Sequence, residues 1–177
     1  MTNATWKFAA AALLALSLSA AAAAENAAEL SGEDLEKFNS AVETAFAHRE
    51  KARLFYKNKQ LDKALKELET ILALDFPEGA EKMEGYSVVL YAGVNAGKIH
   101  LELDKPKKAR EILENSLKKA PQISEWSYEI CMTLGKTYEK LGMDEKAIET
   151  FDKALKISRK LKEMKEKEQK EKEKSAD

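Results

Sequence analysis

The side chains best suited to binding a metal or attacking an electrophile in this 177-residue chain are two histidines, His48 and His100, and one cysteine, Cys131. The histidines stand 52 positions apart, and no H-x-x-x-H, C-x-x-C or H-E-x-x-H spacing places two ligands on one helix face. Cys131 lies between Ile130 and Met132 in a helical pattern, with no neighbouring His or Arg to favour a thiolate, and reads as a buried apolar filler. Residues 92–97, "AGVNAG", contain glycine but fall inside a helical pattern, where small residues serve close packing and not phosphate binding. No G-x-S-x-G, P-loop or dinucleotide fingerprint occurs. The expectation is a chain without catalysis, cofactor or bound metal.

Composition narrows the remaining classes. Lys and Arg number 30 against 31 Asp and Glu, so there is no net field to attract nucleic acid or an anionic membrane. Gly (7) and Pro (3) are scarce, and no alternating β-branched run reads as a strand, so helix is expected throughout. At the N-terminus, Lys7, an apolar stretch over residues 8–18 and Ala22, Ala23 and Ala24 before Glu25 read as a cleaved signal segment spanning 1–24. A membrane anchor is the competing reading, weakened by the Ala-rich composition and by Ser17 and Ser19. The expected product is exported, periplasmic or secreted, without stable membrane insertion after cleavage. Its single cysteine makes no internal disulfide.

The elements follow from caps and breaks. Ser31 and Asp34 predict the start of a long first helix reaching about Asn58, with residues 25–44 forming a polar lead and the helix's N-terminal extension. A second helix is expected from Leu61 to Ala73, ended by Asp75, Phe76 and Pro77. Residues 78–87, "EGAEKMEGYS", read as a loop or loose helical turn. Ser87 is expected to cap a third helix to Leu103, Pro106 to begin a fourth ending near Ala120, and Ser124 to cap a fifth to Leu141. Asp144 is expected to cap a sixth that continues into residues 159–177, a charged, solvated tail laced by pairs such as Glu163 with Lys167, Glu166 with Lys170 and Glu168 with Lys172.

Three stretches align on their small residues. Ala52, Gly97 and Gly135 open them, and a ring follows three positions later at Phe55, His100 and Tyr138. An alanine comes twelve positions after the opener, at Ala64, Ala109 and Ala147, and a large apolar residue four further on, at Leu68, Leu113 and Phe151. The third copy also has Leu134, Gly142 and Ala154 in place. This pattern resembles the tetratricopeptide repeat (TPR) family, helix-turn-helix units of about 34 residues that stack into solenoids. The resemblance covers residues 45–158, as three units near 45–77, 88–121 and 125–158, and suggests an exported bacterial member. It implies an all-α, right-handed solenoid with a long charged C-terminal helix. The alanines are 45 and 38 residues apart, longer than the family period, so the surplus is expected between helix pairs. Gly135 and Ala147 are expected to face each other at the closest backbone approach.

The resemblance also implies a non-catalytic scaffold that binds a protein or peptide segment in a concave groove lined by the first helix of each pair. Residues after each opener would face it: Arg53, Lys98 and Lys136, basic in all three copies. One turn before stand Arg49, Val94 and Met132; one turn after come Tyr56, Lys57, Leu101 and Lys140. Such a basic stripe suits an acidic segment or a carboxylate. An alternative working surface is the C-terminal end, where no helix follows to cover the neighbourhoods of Tyr138, Ile148, Leu155 and Leu161. There the protein would act as an accessory subunit or co-chaperone of an envelope assembly, or form a homo-oligomer.

Overall fold

The computed structural model describes residues 30–175, so the expected signal segment and its cleavage site lie outside the described residues. Six α-helices follow one another: α1 (Gly32–Lys57), α2 (Leu61–Leu72), α3 (Ser87–Glu102), α4 (Pro106–Lys119), α5 (Glu125–Lys140) and α6 (Asp144–Lys174). Each packs against the next, while α1, α3 and α5 also touch side by side. The result is a stack of three helix pairs with α3 at its centre.

Helix starts divide into those made by side chains and those made by the incoming backbone. Ser31 Oγ accepts the Asp34 N–H at 3.2 Å, and Ser124 and Ser127 form a reciprocal capping box at α5. Pro106 opens α4, where its missing N–H is not needed. Ser87 and Asp144, expected as caps, are instead the first residues inside α3 and α6, and neither position preceding them makes a side-chain cap. A short 3-10 turn over Glu84–Tyr86 runs straight into α3, so the backbone is already helical at Tyr86. That segment explains the surplus residues between the first two pairs. Gly85 lies against Phe38 and Val42 of α1, and Phe76 stacks edge-on between Phe38 and Tyr86, with ring centroids 6.0 and 5.3 Å apart.

The turn within each pair is the same structure three times. The N–H groups of Gln60, Lys105 and Met143 donate to the carbonyls of Phe55, His100 and Tyr138 at 2.9, 2.8 and 2.9 Å. These are the six-residue bonds that close a Schellman motif, and they require one left-handed residue just before the donor. Lys59 (φ 60°), Asp104 (φ 54°) and Gly142 (φ 67°) occupy that position. Only the third copy uses glycine there. The fold therefore repeats in all three units with a fidelity that the residue types only partly announce.

Packing within the pairs corrects one expectation. The space left by the missing side chains of Gly97 and Gly135 is filled by the large residue sixteen positions on, not by the alanine. A Cβ on Gly97 would lie 2.7–2.9 Å from Leu113, one on Gly135 2.4–2.7 Å from Phe151, and one on Gly93 would strike Ser116 at 2.0–2.9 Å. Ala109 and Ala147 are buried nearby as small residues, but the tight contact is glycine against leucine or phenylalanine. Tyr138, expected near an open end, is instead buried and donates from its hydroxyl to Glu114 of α4 at 2.8 Å. Desolvation, reinforced by that carboxylate, pushes its pKa up to about 12.

Two glycines give opposite expectations for the same change. Gly97→Ala drives a methyl group into fully buried Leu113, an overpacking cost of about 1–3 kcal/mol, partly offset by a helix-propensity gain near 1 kcal/mol. Gly32→Ala meets nothing within 4 Å and keeps only the propensity gain. Urea unfolding followed by circular dichroism should show Gly97→Ala less stable than the parent and Gly32→Ala equal or more stable.

Candidate functional site

A cleft of ≈ 890 Å³ lies between α3, α5 and the second half of α6. Helical periodicity positions its walls: Tyr91, Asn95 and Lys98 project from successive turns of α3, and Trp126 and Glu129 from the first turns of α5. Leu161, Lys165 and Gln169 of α6 close the third side. Tyr91 and Trp126 meet edge-on at 6.3 Å and form the aromatic floor between the second and third pairs. Arg49 of α1 extends that aromatic strip, its guanidinium 4.7 Å from the Phe46 ring and 5.7 Å from Tyr91.

Two ion pairs span the cleft's walls. Lys98 meets Glu129 at 3.0 Å, joining α3 to α5. Lys165 meets Glu125 at 2.7 Å, tying the far part of α6 to the start of α5. The Lys165 ammonium holds the Glu125 carboxyl below its ordinary range, and Glu125 in turn raises Lys165. Both groups are exposed, so the pair orients α6 more than it stabilises the fold. The tail expected to be merely solvated is thus, up to Gln169, part of a wall. Of its expected internal pairs, Glu168 with Lys172 forms at 2.6 Å, while Glu166 turns to Lys162 at 3.8 Å and not to the expected Lys170.

The residues expected to line the groove are spread along the faces of α1, α3 and α5, and the cleft gathers only some of them. Lys98 and Val94 line it. Val94, however, is only 1% exposed, which removes it as a surface contact: its side chain belongs to the core between α3, α4 and α5. Lys136 is exposed, and Leu101 and Met132 are half-buried. Lys57 is exposed at the end of α1, beyond the cleft. Several of the cations are matched by acids. Arg53 and Arg49 both bind Glu50, at 2.9 and 3.0 Å, and Lys140 reaches Asp104 at 3.4 Å and the Leu101 carbonyl at 3.2 Å. Tyr56 donates to Glu102 at 2.5 Å, a bond that raises the phenol's pKa. The stripe is therefore a mixed-charge surface that ties neighbouring first helices together. Trp126, Tyr91 and Lys165 are among the cleft residues outside the expected groove set. Trp126 precedes the aligned segment, and Lys165 follows it.

The groups with chemical capacity sit elsewhere. His48 pairs with Glu67 at 2.6 Å, linking α1 to α2. His100 is 3% exposed in the aromatic slot of the second unit, its Nδ1 without a hydrogen-bond partner and its Nε2 3.9 Å from Glu69. Cys131 is buried against Ala154 and Ile157, and burial pushes its thiol pKa up. Among the described residues, no group of three or more His, Cys, Asp or Glu could hold a metal ion, and no helix is long and apolar enough to cross a membrane.

Residues 128–161, from the first turns of α5 to the cleft-lining Leu161, match the family model for the tetratricopeptide repeat. The chain carries a tetratricopeptide repeat. The match falls on the third helix pair, the one with Gly135, Tyr138, Gly142, Ala147 and Phe151 all in place. Tetratricopeptide repeats generally mediate protein–protein interaction as non-catalytic scaffolds. No curated protein matches the chain.

His100 gives the repeat stack a pH dependence. Burial disfavours its charged form and lowers its pKa from the ordinary value of 6.5, with Glu69 opposing and Lys105 and Lys108 reinforcing the shift. The folded state therefore binds fewer protons than the unfolded one, so the stability is present above pH 6.5 and declines as pH falls below it. His100→Phe should flatten that part of the stability–pH curve, measured as urea midpoints between pH 5 and pH 8 (approximate limits of the histidine range).

Proposed function

We propose that this protein is a non-catalytic binding scaffold that captures a protein segment in the cleft between α3, α5 and α6. The observation supporting this reading is the half-buried edge-on pair of Tyr91 and Trp126, flanked by an amide and by cations from two different helices. Aromatic side chains such as Trp and Tyr, set inside a polar rim, are enriched where one protein anchors another. An apolar side chain of the segment would rest on the Trp126–Tyr91 floor. Asn95 uses its amide N–H on the Tyr91 carbonyl, which leaves its oxygen to accept from a peptide N–H. An acidic group on the segment would exchange with Glu129 for Lys98. The bound segment is therefore mixed, with an apolar anchor beside a carboxylate, and not a polyanion.

We also place this scaffold outside the cytoplasm, periplasmic or secreted. The support is the sequence pattern of Lys7, the apolar residues 8–18 and the small residues before Glu25. N-terminal sequencing of the protein recovered from its native cell would begin at Glu25; an intact Met1 would refute the export reading.

The binding proposal is tested by selecting peptides from a random display library against the purified full chain. Selected peptides should shift Trp126 fluorescence, and Trp126→Ala should weaken them by at least about thirtyfold, as expected of a central aromatic anchor. Lys98→Glu should penalise the acidic peptides specifically. Peptides that bind both variants as tightly as the parent would overturn the cleft as the binding surface.

A further inference from the structure

We propose that two copies of this chain pair through the outer face of α6, antiparallel and symmetric about an axis between Ile148 and Leu155. This surface is distinct from the cleft and does not depend on the binding role proposed for it.

The third helix pair is the last among the described residues. Its α6 buries Ala147, Ala154 and Ile157 and presses Phe151 against Gly135, all on the side toward α5. About 120° around the helix, at the 100° per residue of an α-helix, Ile148 and Leu155 share one line and point outward. They are 63% and 49% exposed, among the most exposed large apolar side chains described. A further repeat would cover such a face within a longer solenoid.

The charges along the same line decide what occupant fits. On its N-terminal side lie Asp144 and Glu145, and on its C-terminal side Arg159, each exposed and none in an ion pair among the described residues. A parallel copy in register would set like against like. An antiparallel copy centred between Ile148 and Leu155 sets each Ile148 against Leu155 of the second copy. It also brings Asp144 and Glu145 opposite the second copy's Arg159, twice by symmetry. The face is complementary to itself in one orientation only. With a formal net charge of −1, the two copies meet no long-range repulsion.

One feature opposes the pairing and makes it specific. Asp152 lies almost on the proposed axis, so the two copies bring their Asp152 carboxylates close together. Neutralising it should strengthen the association, an outcome that a merely sticky apolar patch does not predict.

Sedimentation velocity of the purified full chain tests the proposal. The parent should show a concentration-dependent dimer. Ile148→Lys with Leu155→Lys should leave a monomer whose circular dichroism is unchanged, since both side chains are exposed. Arg159→Glu should weaken the dimer by about tenfold, and combining it with Asp144→Lys and Glu145→Lys should restore it. Asp152→Asn should tighten it. A parent that remains monomeric at roughly 1 mM would overturn the proposal. So would a dimer indifferent to the charge reversal and to Asp152→Asn.

Discussion

Everything in this structure depends on how closely α4 approaches the backbone of α3. Gly93 and Gly97 leave two gaps one turn apart on α3, filled by Ser116 and Leu113 of α4. Because neither glycine carries a side chain, the two axes come together, and α3 can bury side chains in nearly every direction. Its buried set runs from Val88 to His100 and faces α2, α4 and α5 at once. Gly135 and Phe151 reproduce the arrangement in the third pair, and in the first Ala52 and Leu68, both buried, stand at the corresponding positions. A helix pair of this kind has one face still unpartnered, so stability is collective and passes from pair to pair.

The cleft inherits its shape from that packing. With α3 and α5 side by side and α6 continuing past the start of α5, Tyr91 and Trp126 meet at the seam between two units. The long α6, about 46 Å at 1.5 Å per residue, would extend freely if it held only to α5. Lys165 instead meets Glu125 across 40 positions of sequence and sets the wall. Chemistry-bearing side chains are used for structure: His48 bridges α1 to α2, and His100 and Cys131 fill core positions.

Much of the fold was legible because close packing leaves a residue pattern. The spacing of Gly135, Tyr138, Ala147 and Phe151 located the helix pairs, and Pro106 and Ser124 located two of the starts. Other features were not legible, for physical reasons. The left-handed turn recurs at Lys59 and Asp104, residues that do not advertise it as Gly142 does. Ser87 and Asp144 looked like caps, but a cap is a matter of backbone direction, and the incoming turn places both inside the helix. The basic stripe of Arg53, Lys98 and Lys136 was visible, but two of those three cations have acidic partners. One, Glu50, lies on the same helix, and the other, Glu129, lies on a neighbour. Partners between helices depend on rotation and register, which periodicity along one chain does not encode.

The measurement that most directly tests α3 as the centre of the stack is residue-resolved amide hydrogen exchange of the purified protein under native conditions. The account predicts that α3 and the α4 turns facing Gly93 and Gly97 exchange slowest, at the rate of global unfolding. Protection should fall outward, to little beyond Leu161 in α6, where a single exposed ion pair holds the helix to the rest. Equal protection of α3 and the far end of α6, or an α3 that exchanges before α1, would contradict it.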